Sequence, residues 1–413
     1  MLRRYRYRAY PTGEQVMALA QVFGCVRVVY NDALSACEEA RARGRHLPSR
    51  ADLSAALTEA KRTSERERLT SVSSVPLQQA LIDLERAYRN YFDSLTGRRK
   101  GGRIGAPRFR SRRGRRQSAR FTANAKFHVF ETGHGVGHLV LPKVGRVRFA
   151  LSRPLPARPS SVSVIREADG RYYFSFVVDV PSTVTASPVR RAAGVDMGLT
   201  DVAVVVRSDG VREKIVNPKW HKSAGHALAR AQRALSRKQK GSKNREKARH
   251  QVAVLHRRVR EARRDHHHKL ARRLIDENQV VAVEGLDVAA LMRTRMAKSV
   301  QDAGWGILVR LLHEKAVEQH REVAVVDRWQ PTSQVCAVCG TKDGRKPLHV
   351  RVWTCRSCSA VLDRDFNAAV NIMIAAGLAE ILNACGGDVR RTLACADPDE
   401  AGTHRTDRLR ATA

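Results

Sequence analysis

The chain contains 413 residues, with 76 Lys and Arg against 40 Asp and Glu, so its formal net charge is +36. Such a surplus repels itself unless a polyanion neutralises it. It argues against a small-molecule enzyme and favours nucleic acid as the partner, with an anionic membrane surface second. Hydrophobic residues make up 43% of the chain, which excludes a disordered basic tail protein. The length predicts two or three domains.

Membrane insertion and secretion are not expected. The sequence has no run of 18 apolar residues that would form a spanning helix. Residues 1–11 are basic but lack the apolar stretch of a secretory signal. The basic clusters also lack the amphipathic face that lies on a bilayer. We therefore expect a nucleic-acid partner and no membrane partner.

The first hundred residues predict a strand followed by a helical bundle. Aromatic and basic residues alternate over 1–10, as in a strand with one charged face. Thr12 and Gln15 have the spacing of a capping box and begin a first helix. A second helix is predicted over 27–43, and an apolar stripe predicts a third helix after Pro76.

A break in composition covers residues 97–116, which contain ten Lys and Arg and no acid. This stretch is rich in glycine and cannot form a packed element. We interpret it as a loop that becomes ordered on a phosphate backbone. A loop without a functional role remains the alternative.

Short strands are predicted between residues 121 and 180. The apolar runs lie at 127–130, 138–141, 146–150, 161–166 and 172–178, and Asp169 and Gly170 form a hairpin turn between the last two. This spacing predicts a small barrel or sandwich. The Pro- and Ser-containing segment 181–188 is interpreted as a domain boundary.

From residue 191 onward, alternating strands and helices predict an α/β domain. Strands are expected over 191–206, 280–283 and 322–326, and helices over 307–320 and from 366 to about 382. A basic helical hairpin at 222–273, broken at 241–244, contains eighteen Lys and Arg against three acids. The last 30 residues are interpreted as a loosely ordered tail.

Three acids lie in apolar surroundings. Asp196 interrupts a strand that is otherwise apolar, Glu284 ends another, and Asp365 opens a helix. A charge in such a place is costly unless it is paired or bound to a metal. Two Mg²⁺ or Mn²⁺ ions would offset the mutual repulsion of three converging carboxylates and would clamp the oxygens of a phosphodiester.

Each acid also has a simpler interpretation. Asp365 could be a helix N-cap, and Glu284 could be a surface acid at a strand end. Asp196 is the hardest to explain in this way, because its neighbours leave little room for a solvated face. Spacing alone does not prove convergence, but three such acids in a chain of charge +36 favour a nuclease.

Four cysteines form the most specific chemical pattern: Cys336, Cys339, Cys355 and Cys358 are two CxxC pairs separated by 15 residues. This spacing predicts a tetrahedral zinc site, and four thiolates leave no position for a catalytic water. The zinc is therefore expected to be structural. The consecutive His266, His267 and His268 point around a helix, so we interpret them as a solvated surface rather than a metal site.

Four sequence segments together resemble the TnpB (OrfB) transposon proteins, which are similar to the type V CRISPR effectors. These segments are GVDMGLTDVAV, VVAVEGLDVAALMR, the CAVCG and CRSC pairs, and LDRDFNAAVNI. The N-terminal segment from Tyr5 to Leu34 and the basic hairpin also resemble that family, so the resemblance covers roughly residues 1–383. One departure is Gly285, because the family often has a polar or acidic residue after its catalytic Glu.

The resemblance implies a multidomain α/β fold, with a RuvC-like (RNase H-like) nuclease core, an inserted zinc ribbon and an N-terminal wedge β-barrel containing a helical bundle. It places the catalytic, metal-binding triad on Asp196, Glu284 and Asp365, with Asp363 as a neighbour. The implied segments are a first barrel strand (1–10), a helical recognition domain with a helix-turn-helix-like start (11–104), the barrel (105–185), the core with the basic hairpin (186–335), the ribbon (336–358), the end of the core (359–383) and a flexible tail (384–413).

The resemblance further implies an RNA-guided DNA endonuclease that cuts beside a short transposon-adjacent motif. Its partners would be a guide RNA from the transposon end and double-stranded target DNA, bound by a monomer or a homodimer on one RNA. It would act at the nucleoid in the cytoplasm of a bacterium or archaeon. An RNA-guided regulator without cleavage and a transposase acting in strand transfer are the alternatives.

Protein contacts to these nucleic acids are expected to fall mostly on backbone phosphates, where Arg binds in bidentate fashion. Tyr5 and Tyr7 would stack bases, although simple packing within the barrel explains them equally well. The expected contact residues are Tyr5, Arg6, Tyr7, Arg8, Arg108, Arg110, Arg112, Arg113, Arg237, Lys238, Lys240, Lys243 and Arg245.

Overall fold

The computed structural model describes residues 1–99, 101–112, 114, 116–180, 189–347 and 349–378. The chain divides into two units, Met1–Ser182 and Thr183–Ala413. Within the described ranges, no helix is both long and apolar enough to cross a membrane. The predicted boundary at 181–188 and the predicted tail lie outside the described residues, as do Cys385 and Cys395.

Seven described strands form the antiparallel sheet of the first unit, in the order β2-β6-β7-β1-β5-β4-β3. They are β1 (Leu2–Tyr10), β2 (Gln117–Thr122), β3 (His128–Glu131), β4 (Val136–Leu141), β5 (Gly145–Ala150), β6 (Pro159–Arg166) and β7 (Tyr172–Asp179). Buried and less buried residues alternate along most of them, because successive side chains point to opposite faces. The sequence predicted these strands apart from β2.

Three α-helices pack against this sheet around one continuous hydrophobic core. They are α1 (Gly13–Ala42), α2 (Arg50–Ala60) and α3 (Ser74–Leu95). Thr12 and Gln15 form the predicted capping box at the start of α1. The separate second helix predicted over 27–43 is wrong, because α1 continues unbroken for 30 residues. Its buried residues recur at helical spacing without a glycine or proline that stops the helix.

The second unit contains a described five-stranded sheet in the order β10-β9-β8-β11-β12. The strands are β8 (Ala192–Asp196), β9 (Asp201–Arg207), β10 (Arg212–Val216), β11 (Val280–Glu284) and β12 (Glu322–Val326). Strands β8, β11 and β12 are parallel, whereas β9 and β10 run antiparallel. The carboxyl ends of β8, β11 and β12 therefore share one edge of the sheet.

Helices cover both faces of this sheet. They are α4 (Trp220–Ser223), α5 (Gly225–Ser236), α6 (Lys243–Glu277), α7 (Val288–Leu291), α8 (Ala297–Ala303), α9 (Trp305–Gln319) and α10 (Arg364–Ala375). Residues of α6, α8 and α9 form the core on one face, and α10 forms the core on the other. The predicted basic hairpin is α5 and α6, and the hairpin β13 (Val352–Thr354) with β14 (Val361–Asp363) precedes α10.

Three predictions in this unit are wrong. Asp196 was expected to interrupt a strand, but it is the last residue of β8, and the chain turns back after it to form the antiparallel β9. The last helix was expected to continue to about residue 382, but α10 ends at Ala375, and Gly377 follows with a φ of 73°. The histidine triplet is not a solvated surface, because His267 is fully buried and its Nε2 lies 2.8 Å from the Ala303 carbonyl. Burial lowers the pKa of His267 to about 4, which keeps the ring neutral.

Candidate active site and metal centre

Asp196 and Glu284 are the last residues of two neighbouring parallel strands, β8 and β11. Val195 pairs with Val283, so the two acids follow at the same level of the sheet. Side chains alternate between faces, and Ala192 and Ala282 belong to the core on the α10 side. The same alternation turns Asp196 and Glu284 toward α10.

Asp365 reaches this edge because α10 lies directly against β8. A Cβ atom on Gly194 would lie 2.1 Å from the Ala369 carbonyl oxygen, so only glycine permits this approach. From that contact, Asp196 lies two residues along the strand, about 6.6 Å, and Asp365 lies four residues back along the helix, about 6 Å. Asp365 is close enough to Asp196 for its charge to raise the pKa of Asp196.

Asp196 interacts electrostatically with both Glu284 and Asp365. Burial, then the nearby charges of Glu284 and Asp365, raise the pKa of Asp196 to about 7. Burial also raises the pKa of Glu284. The site therefore concentrates negative charge that a divalent cation would neutralise, and carboxylate oxygens are the ligands that Mg²⁺ and Mn²⁺ prefer.

The raised pKa predicts that Asp196→Asn stabilises the protein in buffer without Mg²⁺ or Mn²⁺. The carboxyl group of Asp196 ionises near pH 4 in the unfolded chain and near pH 7 in the folded protein. The wild type therefore loses stability as the pH rises between these values. The gain in unfolding free energy should approach about 4 kcal/mol at pH 8 and vanish near pH 4. Denaturant unfolding of both proteins, without a chelator that would remove zinc, measures it. An equal difference at both pH values would contradict it.

Asp363 has a different role from Asp365. Its side chain is the N-cap of α10 and accepts hydrogen bonds from the amides of Asp365 and Phe366. It also pairs with Lys214 at 2.6 Å. Burial alone would raise the pKa of Asp363, but these bonds hold it below its ordinary value. The capping interpretation considered for Asp365 therefore applies to Asp363, and the Asp365 carboxylate does not cap the helix.

Arg351 is a site residue that sequence reasoning missed. Its guanidinium donates to both carboxylate oxygens of Asp365, at 3.2 and 3.3 Å, and to the Thr200 hydroxyl at 3.3 Å. It is also one of the positive charges that lower the pKa of Asp196. Arg351 lies between the two cysteine pairs, so only the folded hairpin brings it to the acids. No motif in the sequence signals this contact.

The four predicted zinc ligands do converge. The Sγ atoms of Cys336, Cys339, Cys355 and Cys358 all lie within 4.8 Å of one another, which no other described Cys, His, Asp or Glu group matches. Cys336 lies 3.7 Å from Cys358, and Cys339 lies 3.7 Å from Cys355. A tetrahedron with Zn–S bonds of about 2.3 Å has edges of about 3.8 Å, so the cluster fits zinc.

Two buried asparagines tie this cysteine cluster to the helix that carries Asp365. Asn367 accepts a hydrogen bond from the Ala337 amide and donates to the Val335 carbonyl, both at 2.8 Å. Asn371, one turn later, donates to the carbonyls of Val335 and Thr332. The first cysteine knuckle is therefore fixed to α10.

Loss of the metal from the cysteine cluster should unfold the hairpin that carries Arg351. Its buried core contains little more than Cys336, Cys355 and Trp353, which is too small to fold without a metal. We expect Cys339→Ser to abolish the stoichiometric zinc and to expose residues 336–358 to proteolysis, while α10 stays protected. Full zinc content or unchanged protease resistance in Cys339→Ser would contradict this expectation.

The predicted base-stacking role of Tyr7 is wrong. The Tyr7 side chain is 2% exposed and packs between Phe149 and Phe176, and its hydroxyl donates to the Arg153 carbonyl. The alternation of β1 turns this residue into the core. Tyr5 is partly buried against the same core, beneath the Arg153 guanidinium.

Arg6 and Arg8 lie on the opposite face of β1. Arg6 stacks on Tyr173 and pairs with Glu167, and Arg8 donates to the Tyr172 carbonyl. Both guanidinium groups are thus already held by protein partners in this structure.

The other predicted contacts divide into anchored and exposed residues. Arg110 stacks on Tyr30 and pairs with Asp83, and Arg245 donates to the carbonyls of Leu235 and Lys238 between α5 and α6. Both therefore have structural roles. The exposed residues are Arg108, Arg112, Arg237, Lys238, Lys240 and Lys243, whereas Arg113 lies outside the described residues.

Family models match three segments of the chain. Residues 175–295 match the OrfB_IS605 model, described as "Probable transposase". Residues 305–372 match the TNB domain of Cas12f1-like proteins, and residues 1–46 match the helix-turn-helix domain of OrfB_IS605. These segments contain all three acids and all four cysteines of the site.

Whole-chain relatives decide the family. A protein of Streptomyces pristinaespiralis, named as a candidate RNA-guided DNA endonuclease, is 44% identical over 393 residues, covering 94% of this chain and 92% of the relative. The chain belongs to the TnpB (OrfB) family. A second TnpB relative, InsQ of Escherichia coli K12, is also named as a candidate RNA-guided DNA endonuclease. InsQ is 29% identical over 401 residues, which cover 93% of this chain and 94% of InsQ.

A solved structure shares the fold of this TnpB-family chain. It is the cryo-EM structure of a Cas12f1–sgRNA–target DNA complex, with a TM-score of 0.54 and 12% identity. The match covers 90% of this chain and 98% of that one. The described chain therefore has a Cas12f-like fold with mixed α/β content.

Proposed function

We propose that this TnpB-family protein is an RNA-guided DNA endonuclease that hydrolyses phosphodiester bonds with Asp196, Glu284 and Asp365. The observation that carries the proposal is the shared acidic edge of β8, β11 and α10, where burial and the charges of Glu284 and Asp365 raise the pKa of Asp196. The curated relatives carry the same function in their names. The net charge of +36 suits a polyanionic substrate, and the acidic edge would bind the metal ions that act on it.

The five-stranded sheet of the second unit supports a RuvC-like (RNase H-like) nuclease core, because parallel β8 and β11 end at the acidic cluster beside an antiparallel β9–β10 pair. The cysteine cluster would be its zinc ribbon. The seven-stranded sheet and helices α1–α3 of the first unit would supply the wedge barrel and the helical recognition domain.

The proposed chemistry needs a divalent metal. Asp196, Glu284 and Asp365 would hold Mg²⁺ or Mn²⁺, which supplies Lewis-acid activation of the attacking and leaving oxygens when bound. Arg351 donates to both oxygens of the Asp365 carboxylate and thereby orients it. Lys214 and the amides of α10 engage Asp363 and keep it away from the acidic cluster.

Guide and target would bind mainly through their phosphates. The exposed cations of the α5–α6 hairpin, from Arg237 to Lys243, form a basic surface in the second unit. In the first unit, Arg108 and Arg112 are exposed cations of the basic loop at 97–116. Sequence would be read by base pairing between the guide and the target strand. Binding should therefore weaken steeply with added salt.

The decisive experiment uses the protein purified with its own RNA. The RNA is sequenced, and the complex is incubated with Mg²⁺ and DNA that matches the guide beside randomised flanking bases. We expect cuts only in matched DNA next to one short motif. Binding without cutting would favour the regulator, joined transposon ends would favour the transposase, and absence of a defined RNA would contradict the proposal.

A further inference from the structure

Trp329 is exposed to an extent that folding does not explain. Its side chain is 78% accessible, whereas Trp305 and Trp353 are buried and Trp220 packs against two histidine rings. These four are all the tryptophans of the chain. An indole left in water forgoes the hydrophobic stabilisation that its burial would give, so a binding role is the more economical explanation.

Trp329 lies at the same sheet edge as the acidic cluster. Strand β12 ends at Val326, which pairs with Glu284 on β11, and Trp329 follows three residues later. The Gly285 amide donates to the Val326 carbonyl at 2.9 Å. A Cβ atom on Gly285 would lie 2.8 Å from that oxygen, which explains why glycine follows Glu284 here.

The loop that presents Trp329 is held by its own contacts. Asp327 accepts a hydrogen bond from the Trp329 amide at 3.0 Å. The Arg328 guanidinium lies 4.8 Å from the centre of the indole ring and pairs with Asp287 at 3.0 Å. Asp287 belongs to the segment that follows Glu284. The loop is therefore linked to the acidic edge twice, by the Arg328–Asp287 ion pair and by the hydrogen bond from Gly285 to Val326.

We propose that Trp329 is a stacking platform for an unpaired base of the DNA strand that enters the acidic centre. The inference rests on the proposed nuclease function. A strand whose phosphate lies at Asp196 and Glu284 exposes its neighbouring bases when it is unpaired, and an indole face accepts any base. Arg328 lies over one face of the indole and is held there by Asp287, so the base would stack on the other face.

Intrinsic tryptophan emission tests this without cleavage. The complex of Asp196→Asn with its guide RNA is titrated with single-stranded oligothymidylate that does not match the guide. We expect quenching of the emission, and we expect this quenching to disappear in Asp196→Asn/Trp329→Phe. The matched control, Asp196→Asn/Trp220→Phe, removes a packed tryptophan of the same unit and should keep the quenching.

A second measurement does not depend on emission. With labelled oligothymidylate, fluorescence anisotropy should show that Trp329→Ala weakens binding about fivefold or more, the lower end for loss of one stacked base. Equal quenching in the Trp329→Phe variant, or unchanged affinity in Trp329→Ala, would overturn the inference. Stronger quenching by an RNA oligonucleotide of the same length would also overturn it and assign the indole to RNA.

The two proposals can fail separately. Guided cleavage by the wild type without DNA-dependent quenching of Trp329 would remove only the stacking platform. Quenching in Asp196→Asn, together with a wild type that never cuts matched DNA, would remove the nuclease function and leave a single-strand binding site.

Discussion

Asp196→Asn should lower guided DNA cleavage by about 10²- to 10³-fold, the loss typical of removing one preorganised electrostatic group from a reaction centre. The substitution keeps the size of the side chain but removes the carboxylate of Asp196, which interacts with the charges of Glu284 and Asp365. The same protein should be more stable than the wild type without Mg²⁺. Single-turnover cleavage with saturating complex measures the effect on chemistry rather than on binding.

Asp363→Asn is the matched control for that substitution. Asparagine remains a good N-cap, so α10 keeps its start, and only the ion pair with Lys214 is lost. We expect Asp363→Asn to retain cleavage within about tenfold of the wild type, consistent with loss of a single partly exposed ion pair. Equal loss in both variants would show that the charge of Asp196 has no special role.

Gly194→Ala should have the second large effect, through packing. Its Cβ would lie 2.1 Å from the Ala369 carbonyl oxygen, a backbone atom that cannot move without the helix. We expect α10 to shift, Asp365 to move away from Asp196, and the free energy of unfolding to fall by about 3 kcal/mol. Cleavage should fall with it, because the third carboxylate no longer reaches the edge.

Gly225→Ala is the control for the glycine substitution. Gly225 begins α5, and a Cβ atom there would meet nothing within 4 Å. Alanine is also the better helix former, so Gly225→Ala should be neutral or slightly stabilising. Cleavage by Gly194→Ala at the wild-type rate would mean that the close contact between β8 and α10 does not position Asp365.

The sequence predicted the acids better than it predicted what surrounds them. An acid at the end of an apolar run predicts the strand end at Glu284, whereas the same pattern wrongly places Asp196 inside a strand that it interrupts, although it is the last residue of β8. Their common face follows from alternation along each strand. The contact of Arg351 with Asp365 could not be predicted in this way, because it depends on how a hairpin folds around four cysteines.

The errors have equally local causes. Tyr7 was considered for base stacking because it alternates with arginines, but the same alternation places it inside the sheet. His267 was expected to be solvated because three consecutive histidines point around a helix, yet the α6 face on which it lies packs against α8. In both cases the sequence shows how the side chains are spaced around the element, but tertiary packing decides which face of the element is buried.

The most direct test of the central claim maps the divalent-metal site on the protein itself. Fe²⁺ replaces Mg²⁺ in the RNA complex, and peroxide with a reductant generates radicals that cut the backbone near the bound ion. The three-acid centre predicts cuts near residues 196, 284 and 365 that Mg²⁺ suppresses, and Asp196→Asn should remove all three together. Persistence of the cuts near 284 and 365 in that variant, or cuts at none of the three, would contradict a single shared metal centre.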